Sequence, residues 1–180
     1  GNARIVYFDG TTNKLKYAYQ ERGEWTTGYI PTNNAGNYPD LKLDSQGEAH
    51  ISFYQPDSDS LVYGSQVNSE WSYNIFPESM NIGWVALALD KHDDPHIVFS
   101  DIDQNKLRIA HYKAGSWTSE VISSLEHSES EWGKEFTFTI SPAGLLSVVF
   151  TDDNGMYFAT RESNEQWAIE TVNLEVRSGS

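Results

Sequence analysis

The sequence predicts an all-β fold, a β-propeller of about four blades, each a small four-stranded sheet. Three observations carry this: an internal repeat, apolar residues alternating with period two, and no stretch with helical periodicity. Trp25, Trp71 and Trp117 stand 46 residues apart and Trp167 follows 50 later. Leu15, Leu61 and Leu107 keep the same period, and Met156 stands 49 further on. Asp44 and Asp90, then His50 and His96, are again 46 apart. A repeat of this length marks units that stack or radiate, and four short strands per unit point to blades rather than a sandwich.

Each unit contains four segments in order. The first is a short apolar strand: Leu41 and Leu43, then Val85, Leu87 and Leu89, then Phe136, Phe138 and Ile140. Turn formers follow, such as Ser45-Gln46-Gly47, His92-Asp93-Asp94-Pro95 and Pro142-Ala143-Gly144. The second strand alternates again at Ile51 and Phe53, Ile97 and Phe99, Val148 and Phe150. A third opens on Leu15, Leu61, Leu107 or Met156, and three residues later a small side chain recurs as Ala18, Gly64, Ala110 or Ala159. Small residues at a fixed register suit sheets that approach closely. The fourth strand opens with the repeated Trp, expected to fill the wedge between neighbouring blades.

The repeats run over residues 1–44, 45–90, 91–141 and 142–177 of one propeller domain, with Ser178-Gly179-Ser180 read as a linker end or cloning remnant. Gly1 to Arg4 align with Gly47 to His50, so the first unit lacks its inner strand. Two closures remain open: Asn173 to Arg177 returns as that strand, giving a four-bladed ring closed by both termini, or the chain is part of a larger propeller completed by another copy or by a removed segment. Unpaired edges and faces are adhesive, so one closure is required.

The chain has 180 residues and 20.3 kDa, the size of one domain. Its 12 basic and 26 acidic residues give a net charge of −14. That charge repels phosphate backbones and anionic lipid, so no nucleic-acid partner is expected. Cysteine is absent, which excludes disulfides and thiolate chemistry. No apolar run has the length of a membrane span, so no membrane insertion is expected. No signal segment opens the chain; a secreted or periplasmic protein is expected, its leader already removed.

Val85 to Asp90, Pro95 to Phe99 and Gly115-Ser116-Trp117-Thr118 resemble the repeat of bacterial β-propellers related to sialidase-type (BNR, Asp-box) and lectin propellers. The resemblance covers nearly the whole chain. Of the Asp-box pattern only the tail survives, in Gly23-Glu24-Trp25-Thr26 and Gly115 to Thr118. The resemblance implies architecture more than chemistry, because propellers host many functions.

The segments leading into each inner strand, Pro31 to Pro39, Pro77 to Trp84 and Ser123 to Gly133, are expected to gather at one channel mouth. Tyr38 and Trp84 share a register there, and Trp132 stands in the third segment. Asn34, Asn37, Asn81 and Glu131 accompany them. Aromatic faces beside amide or carboxylate groups suit a sugar, whose C–H face stacks while planar side chains take paired hydroxyls. The competing reading is that these rings plug a narrow channel.

The expected function is therefore a non-catalytic module binding a neutral carbohydrate. The alternatives are an interaction propeller whose acidic surface docks a basic partner, and a glycosidase with an acid pair that no sequence feature singles out. The Asp-rich segments around Asp9, Asp57, Asp59, Asp101, Asp103 and Asp152 read as turn chemistry rather than calcium loops. His92 and His96 are assigned to a hairpin turn, with no metal expected. No cofactor motif is present.

Overall fold

A computed structural model of the chain describes residues 3–32, 36–126, 136–162 and 166–172. Within these residues it forms four antiparallel sheets in chain order. The first has three strands, β1 (Arg4–Asp9), β2 (Lys14–Glu21) and β3 (Glu24–Tyr29). The second holds β4 (Asn37–Leu43), β5 (Ala49–Gln55), β6 (Ser60–Val67) and β7 (Glu70–Ser79). The third holds β8 (Ile82–Leu89), β9 (Pro95–Asp101), β10 (Lys106–Lys113) and β11 (Ser116–Ser124). The fourth holds β12 (Phe136–Ile140), β13 (Leu146–Asp152), β14 (Gly155–Arg161) and β15 (Ala168–Thr171).

Every sheet is a meander in which each strand pairs with its sequence neighbour. The 46-residue repeat is offset from the sheets by one strand: repeat 45–90 comprises β5 to β7 and then β8, the inner strand of the next sheet. Strand β8 packs between β4 and β12, so these inner strands line up side by side, and β1 of the first sheet packs on β4.

The hydrophobic core lies between sheets, in three clusters. Leu15, Ile51, Phe53 and Val62 fill the first junction. Leu61, Phe76, Ile97 and Phe99 fill the second, and Val98, Ile109, Phe138, Val148 and Phe150 the third. The period-two alternation explains the division of labour. Along β8, Val85 and Leu87 point to the second sheet while Ala86 and Ala88 point to the fourth. Each sheet therefore buries both faces only by having a neighbour on each side.

The small-residue register does what close approach requires. Ala18, Ala110 and Ala159 are buried. A Cβ on Gly64 would stand 3.0 Å from Ile51 Cγ1 and from the Tyr73 ring. The recurring aspartates close the turns between the first two strands of a unit. Asp44 Oδ1 accepts from the Gln46 and Glu48 amides, both at 2.8 Å, and Asp90 Oδ1 accepts from those of His92 and Asp94. Gly47 and Asp93 occupy the same turn position with φ of +84° and +63°, a left-handed conformation open to Gly and tolerated by Asp. Asp93 also accepts from the Ser45 amide and hydroxyl, tying the second sheet's turn to the third's.

Three expectations are corrected. His96 lies on β9 rather than in the turn, because the turn closes at Asp94. Tyr38 and Trp84 lie on β4 and β8 rather than in connecting loops, at places where the ladder slips between Asn37 and Asp40 and between Ile82 and Val85. Trp71, Trp117 and Trp167 pack into the junctions as expected, whereas Trp25 is exposed, with no sheet among the described residues packed against it. The segment Asn173 to Arg177, expected as a closing strand, lies outside the described residues, as do residues 178–180.

Candidate functional site

The junction between the third and fourth sheets is not fully filled. A cavity of about 240 Å³ opens there, lined by His96, His111, Thr118, Glu120 and Arg161, with Ile109 and Ser119. Strand pairing sets this lining: His111 stands opposite His96 on one side and Thr118 on the other, and Ile109 opposite Glu120. All these belong to the third sheet. Arg161, the last residue of β14, comes across from the fourth.

The Arg161 guanidinium pairs with the Glu120 carboxylate and lies over the Trp167 ring, 4.9 Å from its centroid. The His96 and His111 rings stack at 4.1 Å with planes 15° apart. Around this cluster several buried polar atoms have no hydrogen-bond partner: His96 Nδ1, His111 Nε2, Arg161 Nε and Trp167 Nε1. Buried donors and acceptors are normally satisfied, so those of His96, His111 and Arg161 on the cavity wall are open to a water or another polar molecule.

Burial, reinforced by the neighbouring His111, pulls His96 down to about 4, although Asp90 at 3.8 Å favours its charged form. Burial lowers His111 as well. At pH 7 both imidazoles are neutral, and each offers one donor and one acceptor nitrogen. With one cation and one anion facing each other, the cavity carries no net charge. It can take paired hydroxyls through the guanidinium fork and the carboxylate, with Ile109 as the apolar part of its wall.

The same registers at the other junctions carry different chemistry. Between the second and third sheets the Arg161 position is Tyr112, whose hydroxyl donates to Asn74 Oδ1 at 2.8 Å, and His50 Nδ1 is bound to the Tyr63 hydroxyl at 2.6 Å. Tyrosines fill that groove. Between the first and second sheets a wider cavity of about 520 Å³ is lined by Arg4, Tyr19 and Gln66 among others, with Arg4 over the Tyr19 ring at 5.1 Å.

Of the residues the sequence singled out, the structure brings Tyr38 and Trp84 together, their ring centroids 5.4 Å apart. Tyr38 also packs on the second junction's core and Trp84 on the third's. Asn37 pairs with Tyr54 in the ladder. Asn81 donates its amide to Asp103 and accepts from the Ile102 amide. Asn34, Glu131 and Trp132 lie outside the described residues. The sequence reading missed Arg161, Glu120 and His111 and placed Trp167 in the core. The repeat register was the available signal: Arg161 stands 49 after Tyr112, the spacing that separates Met156 from Leu107.

No family model matches the chain, and no curated protein matches it. Solved structures do. A fungal lectin from Aleuria aurantia, a six-bladed β-propeller, matches at a TM-score of 0.70 with 15% identity over 99% of this chain and 61% of the lectin. The chain thus spans about three fifths of that lectin's length. A fucose lectin from Kordia zhangzhouensis, solved with methyl-fucoside, matches at 0.50 with 15% identity over 76% of this chain and 99% of the lectin. A Dyadobacter fermentans protein of unknown function matches at 0.59 with 7% identity over 94% of this chain and 49% of that one. The fold is therefore that of a β-propeller. Two of the structures sharing it are lectins that recognise fucose.

Proposed function

We propose that this chain is a non-catalytic, carbohydrate-binding propeller module that takes a neutral sugar in the groove between its third and fourth sheets. The observation that carries the reading is the Arg161–Glu120 pair on a cavity wall beside the unpartnered nitrogens of His96 and His111. Arg161 and Glu120 take vicinal hydroxyls, Ile109 meets the apolar ring face, and the two neutral histidines complete the hydrogen bonding. A net charge of −14 with a charge-balanced cavity selects against anionic sugars. The likeness to fucose lectins makes fucosides the first ligands to try. The four sheets act as four blades, and a glycan ligand places the protein outside the cell or in the periplasm.

The Tyr38–Trp84 pair is a second platform in this reading, with Asn37 and Asn81 beside it and Asn34, Glu131 and Trp132 on the neighbouring segments. The ring contact at 5.4 Å favours it. A panel of neutral glycans, methyl fucoside included, followed by titration calorimetry on the variants, separates the two. Arg161→Ala and Glu120→Gln abolish binding at the groove while Trp84→Ala leaves it unchanged; the opposite pattern moves the sugar to the channel mouth. No binding across the panel overturns the carbohydrate reading.

A further inference from the structure

Val62, Arg108 and Tyr157 share one register, each a residue after the Leu or Met that opens its third strand. At the second junction the Arg108 guanidinium lies 5.6 Å from the Phe99 ring centroid, bonded to Glu78 at 2.9 Å and to Ser119 Oγ at 2.8 Å. At the third, Tyr157 stacks on Phe150 with centroids 5.2 Å and planes 20° apart. Two junctions thus fill the same space with a flat side chain that has a polar end. An aspartate stands beside each, Asp101 at 3.4 Å from Arg108 and Asp152 next to Tyr157.

The first junction has no such filler. Val62 stands in the register, and its short side chain leaves a cavity of about 360 Å³, lined by Phe53, Gln55, Tyr73 and Ile75 among others. Phe53 and Gln55 hold the registers of Phe99 and Asp101, and Thr32, also on the wall, holds that of Glu78. Both carboxylates that accompany Arg108 are therefore replaced by uncharged groups. Tyr73, in the register of Ser119, brings a buried hydroxyl with no hydrogen-bond partner. Burial raises its pKa, so it keeps its proton. Such a group is open to a water or another polar molecule.

We infer that this cavity between the first and second sheets is a second binding site, for a small uncharged molecule with a phenol-type ring. The chain's own fillers define the shape, because Arg108 and Tyr157 are both flat and both polar at the tip. The lining defines the charge. A guanidinium buried without a carboxylate is costly, and Gln55 and Thr32 offer none. Tyr157 is thus the better template of the two. A ligand ring packs between Val62 and Ile75 above Phe53, while its hydroxyl donates to the Gln55 side-chain carbonyl and accepts from Tyr73. The volume lies at the low end for small-molecule pockets, enough for one substituted ring. The site lies at a different junction from Arg161 and shares no residue with that groove.

Titration calorimetry of the 180-residue chain with 4-methylphenol, methylguanidinium and methyl fucoside provides the test. The expected result is saturable binding of 4-methylphenol, with a dissociation constant on the order of 1 mM or tighter. Tyr73→Phe weakens it about fivefold to tenfold, and Arg161→Ala leaves it unchanged. Val62→Tyr supplies the missing filler from within and abolishes binding with unchanged far-UV circular dichroism. Val62→Met, a flexible filler of less bulk, repeats that test should the tyrosine prevent folding. No saturable binding of 4-methylphenol overturns the inference, as does binding that survives a folded filler variant. Methylguanidinium or methyl fucoside taking the Val62-sensitive site in place of 4-methylphenol overturns it equally. None of these outcomes bears on sugar binding at Arg161.

Discussion

Replacing His96 by Gln isolates the cost of keeping a histidine neutral inside a sheet junction. Burial holds His96 at about 4 in the folded chain, against 6.5 for an exposed imidazole. Above pH 6.5 both states are neutral and the group contributes no pH dependence. Below it the unfolded chain takes a proton that the folded chain refuses, so stability falls as pH drops from 6.5 toward 4. The gap corresponds to about 3 kcal/mol at pH 4, and about 2 kcal/mol is already lost at pH 5.

The lowered carboxylates act in a different window. Burial pushes Asp90 up, but the His92 and Asp94 amides outweigh it and bring the group below 3.8; Asp44 is held down likewise by the Glu48 and Gln46 amides. Their contribution is present above 3.8 and is lost only as pH falls below it. Urea unfolding at pH 8, 6 and 5 stays above that window; His111, lowered in the same sense, titrates there too, so the difference from His96→Gln is what isolates His96. The original chain loses about 2 kcal/mol more than His96→Gln between pH 8 and pH 5. Parallel curves for the two would refute the assignment of a buried, neutral His96.

Further expectations follow from the junctions. Trp117→Ala opens a cavity between the second and third sheets and costs about 3 kcal/mol, lowering Tm by roughly 6–12 °C. Trp25→Ala at the same register costs less than about 1 kcal/mol, because no sheet among the described residues opposes it; calorimetry of both variants checks the contrast. Gly64→Val forces its side chain against Ile51 and Tyr73 and costs about 1–3 kcal/mol in denaturant titration. Asp101→Ala leaves the buried Arg108 with only the half-exposed Glu78 as an ionic partner and costs about 3 kcal/mol by the same assay.

The architecture was legible because it is written in periods. Leu61 and Leu107, Ile51 and Ile97, and Gly64 and Ala110 recur at one spacing because each blade meets the same neighbour in the same way. Turn chemistry was legible for a similar reason: Asp44 and Asp90 perform one local task twice. The groove was harder to see, because function breaks the repeat. Arg161, Tyr112 and Gln66 share a register but no chemistry. What Arg161 meets depends on Glu120, 41 residues earlier on another sheet. Trp167 was read as core, which it partly is, yet its ring also lies under the Arg161 guanidinium. The exposure of Trp25 lay beyond periodicity altogether, since an identical residue is buried or bare according to whether a sheet stands opposite.

A crystal structure of the chain soaked with methyl fucoside tests the central claim most directly. The account predicts a pyranose between Glu120 and Arg161, its apolar face toward Ile109 and its hydroxyls on the two histidines. A sugar seated instead on Tyr38 and Trp84, with the groove between the third and fourth sheets empty, would contradict it.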